Sequence, residues 1–495
     1  MHKYPIILLL LSCLYSQVTP QKIIIVGAGA SGIAAATRLI EKNVTDFIIL
    51  EAEERLGGRI HSVFLLDGDE GGHVDLGGEY VGGEEGNVVY EFAKEHLKHS
   101  DETKRSHSYY SDGSLVDAKL TADVTSFKDN LKKEYEGKSP ISVGAAFNEK
   151  YNEAVVKKYS SEPLKSKQAV EFIGTCENAF LRRIAAFDWN KLLLNDHFKL
   201  CKGDQEMNWD GKGFKHFLDL LMRKFGDEHR LRLFPMYYYS TVETIDWANE
   251  GKVKLMTKEG QKYEADHIIF TPSVGVLKEK NEKMFVPKLP ANKIDALESI
   301  GFDSTMKVVL QFAQKWWSDD VQEFNFVYSE EEKKKISEEF KEGPQKDGKS
   351  WLNSFYGLFT VSGLPNTLIG WFTGPLVPEI EKLDPEVLKK GMNIVIKKFL
   401  GKNFNVTDPL IVIPSNWHSN SNFRGVTSYE TLASGNRKTQ VQKDLAEPLF
   451  NKDNIPTVLF AGEHTHETHF GTVHGAVESG YRAADQLVEH LNKIK

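Results

Sequence analysis

Residues 22–59 read KIIIVGAGASGIAAATRLIEKNVTDFIILEAEERLGGR, and this stretch decides the fold. Its opening β-branched run, 22–26, has the composition of a buried parallel strand. Gly27, Gly29 and Gly32 follow in GxGxxG spacing, and 33–40 has helix-forming composition. Gly27 permits the tight turn, Gly29 lets the backbone approach a pyrophosphate, and Gly32 lets helix and strand pack closely. Ala30 and Ser31 open the helix, whose free N–H groups and positive dipole end suit phosphate oxygens. A second strand, 46–50, ends in Glu51, nineteen residues beyond Gly32. A carboxylate there is placed to accept hydrogen bonds from the hydroxyls of an adenosine ribose. The combination predicts dinucleotide binding. A glycine-rich turn in a nucleotide-free α/β domain is the bland alternative.

The residues that follow choose the cofactor. Arg55-Leu56-Gly57-Gly58-Arg59 comes directly after the acid, and Val74-Asp75-Leu76-Gly77-Gly78 a little later. The first resembles the RxGGR extension of the flavin amine oxidase family, in which an arginine, here Arg59, balances the diphosphate. The second resembles the DLGG segment lining that family's isoalloxazine pocket, which makes Gly77 and Gly78 cofactor contacts. The likeness is closest to the polyamine oxidase and spermine oxidase branch and covers nearly all of the chain after residue 20. It implies an α/β fold: a discontinuous Rossmann-like FAD-binding domain (21–100, 205–290 and 435–495) and an α+β substrate-binding domain (101–204 and 291–434).

The resemblance also assigns roles. Val242 falls where relatives contact adenine through the backbone. Lys307, in an apolar alternating strand where a charge is otherwise awkward, falls where a lysine holds water against flavin N5. Trp417 matches an aromatic that covers the flavin. Residues 457–463 match a closing strand whose acid, Glu463, binds the ribityl chain. The helix beginning near Val473 would aim its N–H groups at the pyrimidine edge, where negative charge develops on reduction.

Departures from the family pattern bear on the substrate. Gly82 stands where animal polyamine oxidases carry a histidine, and Thr427 stands where they offer an aromatic wall. Glu79, Tyr429 and Thr472 are the candidate substrate contacts, with Glu84 and Glu85 as further carboxylates. L-amino-acid oxidases place an arginine after the glycine pair; here Glu79 follows Gly78. Monoamine oxidases attach FAD through a late cysteine, and no cysteine lies beyond Cys201, so FAD is expected to be non-covalent. The implied activity is oxidation of a polyamine-like amine by hydride transfer to flavin, with imine hydrolysis and hydrogen peroxide release. The alternative is an FAD-binding protein of the same fold with little turnover, or an L-amino-acid oxidase.

Composition sets the wider frame. A chain of 495 residues is too long for one ordinary core. A net charge of −8 argues against nucleic-acid binding through the bulk field; the resemblance implies a small amine and O2 as partners. The start, MHKYPIILLLLSCLYSQ, is laid out as a secretory leader, taken to comprise residues 1–20. Its apolar run is far below the roughly 20 residues that span a bilayer. A secreted chain would make Asn43 and Asn405, each in an Asn-Val-Thr sequon, glycosylation sites. Cys176 and Cys201 could pair or stay free. His464, His466, His469 and His474 crowd the C-terminus, but their H-x-H-x2-H-x4-H spacing matches no common zinc pattern, so no metal is expected.

Overall fold

The structure, a computed structural model, describes residues 19–67, 70–226, 233–248 and 251–493. The expected leader therefore falls, up to residue 18, outside the described residues. Thr19 and Pro20, which the sequence reading gave to that leader, belong to the first strand and lie opposite Tyr263 and Glu264.

That strand, Thr19–Val26, runs parallel between Phe47–Leu50 and Lys262–Phe270. Ile23, Ile24 and Ile25 are wholly buried, which explains the unbroken β-branched run: both faces are covered. The helix Ala30–Glu41 buries Ile33, Ala34, Ala35 and Leu39 and packs on the long C-terminal helix Val473–Lys493. Small residues permit that crossing, since a Cβ on Gly480 would stand 2.2 Å from the Ser31 carbonyl. A Cβ on Gly32 would stand 1.9 Å from the Gly27 carbonyl. No side chain fits there.

The nine-stranded sheet containing these strands draws on three separated stretches, around 19–50, 236–286 and 449–460. A six-stranded sheet forms the second body from Arg105–Tyr110, Met306–Gln311, Val321–Val327, Phe355–Val361, Leu364–Phe372 and Ile411–Pro414. The helix Pro385–Leu400 covers it with Leu388, Val395, Ile396 and Phe399. Residues 101–204 supply the helices Ala118–Glu134, Val143–Tyr151 and Pro163–Ile184 and also the strand Arg105–Tyr110, which pairs in parallel with Val321–Val327. That strand reads RSHSYY, with too little alternation to announce itself. Among the described residues no helix is long and apolar enough to cross a membrane.

Candidate active site

A deep cavity starts at the first βα turn and runs between the two bodies. Its walls include Gly27, Gly29, Ala30, Ser31, Glu51, Arg59, Gly77, Gly78, Val242, Trp417, Glu463, Thr472 and Val473. Every residue assigned to the cofactor therefore borders one space, except Gly32, which sits behind the turn as a packing glycine. Thr271, Pro272, Ser273 and Phe423 also line it.

Local geometry explains each position. Gly27 has φ +101°, a left-handed conformation that favours glycine. Gly29 and Gly57 form a parallel bridge, and a Cβ on Gly58 would lie 3.2 Å from the Gly29 Cα, so two glycine loops meet backbone to backbone. Glu51 is buried and accepts from the N–H groups of Ala28 (2.6 Å) and Glu53 (2.9 Å). Burial raises its pKa despite those two bonds. Each carboxylate oxygen keeps a further lone pair for a ribose hydroxyl.

At the other end, Glu463 accepts from Arg59 (2.8 Å), the Ser428 hydroxyl (2.5 Å) and the Gly471 N–H (2.7 Å). Burial would raise its pKa, but the Arg59 charge and these donors hold it below the ordinary carboxylate range. Arg59 also donates to the Val426 carbonyl at 2.6 Å, which ties the RLGGR loop to the far wall. Trp417 is buried, donates from its indole N–H to the Leu76 carbonyl at 2.9 Å and meets Phe423 edge-on at 5.0 Å. Thr472 caps the C-terminal helix: its hydroxyl oxygen accepts from the Gly475 N–H at 3.0 Å and donates to the His469 carbonyl at 2.6 Å.

The substrate candidates fare differently. Tyr429 is buried, pairs in a short strand with Gly301, and gives its hydroxyl to Asp303 at 2.5 Å. It packs in the helical body rather than on the cavity wall, where Asp303 holds its hydroxyl. Glu79 does not border the cavity either, but ion-pairs with Lys307 at 2.7 Å. Glu85 pairs with Lys202 at 3.4 Å on the surface, and Glu84 turns toward Asp204 and His99. Gly82 faces Gln205 and lies outside the lining.

Lys307 is buried, and its ammonium donates to the carbonyls of Asp75 (3.0 Å) and Gly77 (2.9 Å) as well as to Glu79. An ammonium has three donors. All three are spent, so no N–H is left to hold the water that the resemblance assigned to it. Lys307 instead pins the 75–79 segment whose glycines form the wall. Asp75 reinforces this segment by accepting from Ser62 (2.5 Å) and the Phe214 N–H (3.0 Å), with burial raising its pKa to about 7. The Trp371 ring carries Lys307 at 4.9 Å and Arg182 at 5.5 Å, and Arg182 lies 4.6 Å from Phe359.

The model of the family described as flavin containing amine oxidoreductase matches residues 30–488. The chain belongs to this family. A Bos taurus peroxisomal N(1)-acetyl-spermine/spermidine oxidase is 26% identical, with 94% of each chain covered. A lysine-specific histone demethylase 1 homolog 3 from Oryza sativa subsp. japonica is 28% identical over 95% of this chain but 54% of that protein, so the chain spans about half its length. A solved structure of a putrescine oxidase with redesigned cofactor binding matches 96% of this chain with a TM-score of 0.63 at 17% identity, a likeness of fold. For this amine oxidoreductase the cofactor is FAD, and the residues present fit it: the glycine cradle, the acid at the strand end and the helix N-terminus lie along one cavity. Neither Cys176 nor Cys201 borders that cavity, which suits non-covalent binding, and both are free thiols.

His464 is fully buried beside this wall, and neither ring nitrogen meets a protein partner. Burial pushes its pKa from 6.5 down to about 4; His61, edge-on to Trp417, is likewise pushed to about 4. The folded state then binds fewer protons than the unfolded chain between these values, so stability is full above 6.5 and falls as pH drops toward about 4. The difference in urea midpoint between the parent and His464→Gln isolates this group: it should be constant above 6.5 and shift in favour of His464→Gln as pH drops toward about 4.

Proposed function

We propose that this family member is a secreted oxidase of a polyamine-like amine. The cavity carries the reading: it runs from an acid suited to ribose at Glu51 to a helix N-terminus at Val473, with Trp417 closing the reacting end. When bound, FAD supplies the electron acceptor, taking two electrons from the carbon beside the amine nitrogen and passing them to O2 as hydrogen peroxide. The chain's own residues orient and shield. Arg59 and Glu463 lock the two walls together, Lys307 fixes the Gly77–Gly78 backbone, and Trp417 with Phe423 excludes water. Val473 begins the helix whose dipole favours negative charge at its N-terminus.

Arg182 favours a second reading. Its guanidinium stacks against Phe359, Trp371 and Tyr356, the type of aromatic box that would otherwise take a substrate cation. A substrate carrying a carboxylate, as in an L-amino-acid oxidase, would use that cation. Peroxide release from the purified protein over polyamines, acetylated polyamines, monoamines and amino acids separates the two. Secretion rests on the leader pattern of residues 1–17 and on Asn43 and Asn405 both being exposed. Expression in secretory cells tests it: the glycosylated protein should appear in the medium and lose mass with an N-glycosidase, whereas purely intracellular, unmodified protein would contradict it.

A further inference from the structure

The four C-terminal histidines separate in the fold. His464 stays under the cofactor cavity, while His466, His469 and His474 gather beside the first turn of the C-terminal helix. The rings of His466 and His469 stack at 4.7 Å, and His469 meets His474 edge-on at 4.8 Å. His466 Nε2 (2.8 Å) and His469 Nδ1 (2.9 Å) reach the same oxygen of Glu478. The opposite nitrogen of His469 and the Nε2 of His474 each lie 3.9 Å from Cys201 Sγ. These three donor atoms lie within 4.8 Å of one another.

Cys201 comes from a remote loop that bridges to the segment after Glu79, through Val81 with Met207 and Glu85 with Lys202. Gly83 sits so close that a Cβ there would stand 2.5 Å from the Cys201 Cβ. The loop is thus held against the helix start, with its sulfur aimed at two imidazole nitrogens.

We propose that Cys201, His469 and His474 form a Zn2+ site with an exchangeable fourth ligand. One thiolate and two imidazoles suit that ion. In a tetrahedral site, bonds of about 2.3 Å to sulfur and about 2.0 Å to nitrogen set the S···N edge at about 3.5 Å, so each of the two S···N separations would shorten by about 0.4 Å. Glu478 supplies the outer-shell carboxylate that commonly fixes the ring of a zinc-bound histidine. Glu478, His466 and His469 Nδ1 form a second group of possible ligands, but their contacts are already ordinary hydrogen-bond lengths. On binding, the Cys201 S–H bond breaks, the sulfur's electron pair goes to the metal and the proton goes to solvent.

The test uses the flavin-loaded full-length protein, stripped with a chelator, then titrated with Zn2+ against a chromophoric chelator and separately with Co2+. One ion per chain is expected, with release of a proton and, for Co2+, tetrahedral ligand-field bands at longer wavelength than the flavin absorbs. Cys201→Ser and His474→Ala should abolish stoichiometric binding, and Glu478→Gln should weaken it about 10–100-fold. His216→Ala, which breaks an unrelated imidazole pair with His96, should change nothing. Equal affinity in Cys201→Ser, or no stoichiometric ion in the parent protein, would overturn the site. Should Cys201→Ser fail to fold, the parent protein's cobalt spectrum decides: bound Co2+ without tetrahedral, thiolate-type bands rejects it.

Discussion

Lys307→Met is expected to destabilise the protein by about 3–5 kcal/mol, the usual consequence of removing one partner from a buried ion pair. The side chain is 4% exposed, so the loss cannot be made good by water. Glu79 would keep a carboxylate without its cation, and the carbonyls of Asp75 and Gly77 would lose their donor. Those carbonyls lie at the end of the strand Glu70–Asp75 and in the segment just after it, where Gly77 and Gly78 line the cofactor cavity. Thermal unfolding should therefore show a lower midpoint, and the flavin should dissociate more readily during gel filtration. Glu79→Gln separates two roles for the lysine. If Lys307 acts by tethering the wall, Glu79→Gln should reproduce part of the stability loss while leaving the oxygen reaction of reduced flavin near its parent rate. A collapse of that reaction with stability intact would assign Lys307 to the oxygen step instead.

The second large effect is expected at Glu51. Glu51→Ala should weaken FAD binding by about ten- to a hundredfold, since one charge-assisted hydrogen bond contributes about 1.5–3 kcal/mol and each 1.4 kcal/mol is about tenfold. Two consequences combine. The acceptor for the ribose hydroxyls disappears, and the N–H groups of Ala28 and Glu53 lose the oxygens that shape the turn. Glu51→Gln keeps one acceptor oxygen and should fall between the two. Fluorescence of released flavin on dilution measures all three, and parent-like retention in Glu51→Ala would remove the acid from the cofactor's contacts.

How much was legible in the sequence depended on how local the information was. Residues 22–59 carry a whole strand–turn–helix–strand unit, and each glycine has its steric reason within a few positions, as Gly32 against the Gly27 carbonyl shows. The closing strand Pro456–Phe460 and the helix after it were legible for the same reason. Side-chain partners were not. Lys307 and Glu79 are 228 positions apart, and Cys201 and His469 are 268 apart; no periodicity or spacing rule connects them. Tyr429 was misplaced because its bond to Asp303, 126 positions away, draws the ring into the helical core. The histidine stretch showed in sequence only a spacing that matches no common zinc pattern, because the cysteine that lies beside His469 and His474 comes from another loop.

The most direct measurement is anaerobic stopped-flow mixing of the flavin-loaded protein with spermine, spermidine, their acetylated forms and putrescine, following flavin absorbance. Bleaching by at least one of these amines, then recovery with stoichiometric peroxide when oxygen is admitted, is the expected result. A flavin that binds in the cavity but stays oxidised with every polyamine would contradict the polyamine assignment, and bleaching by amino acids alone would move it to a carboxylate-bearing substrate held by Arg182.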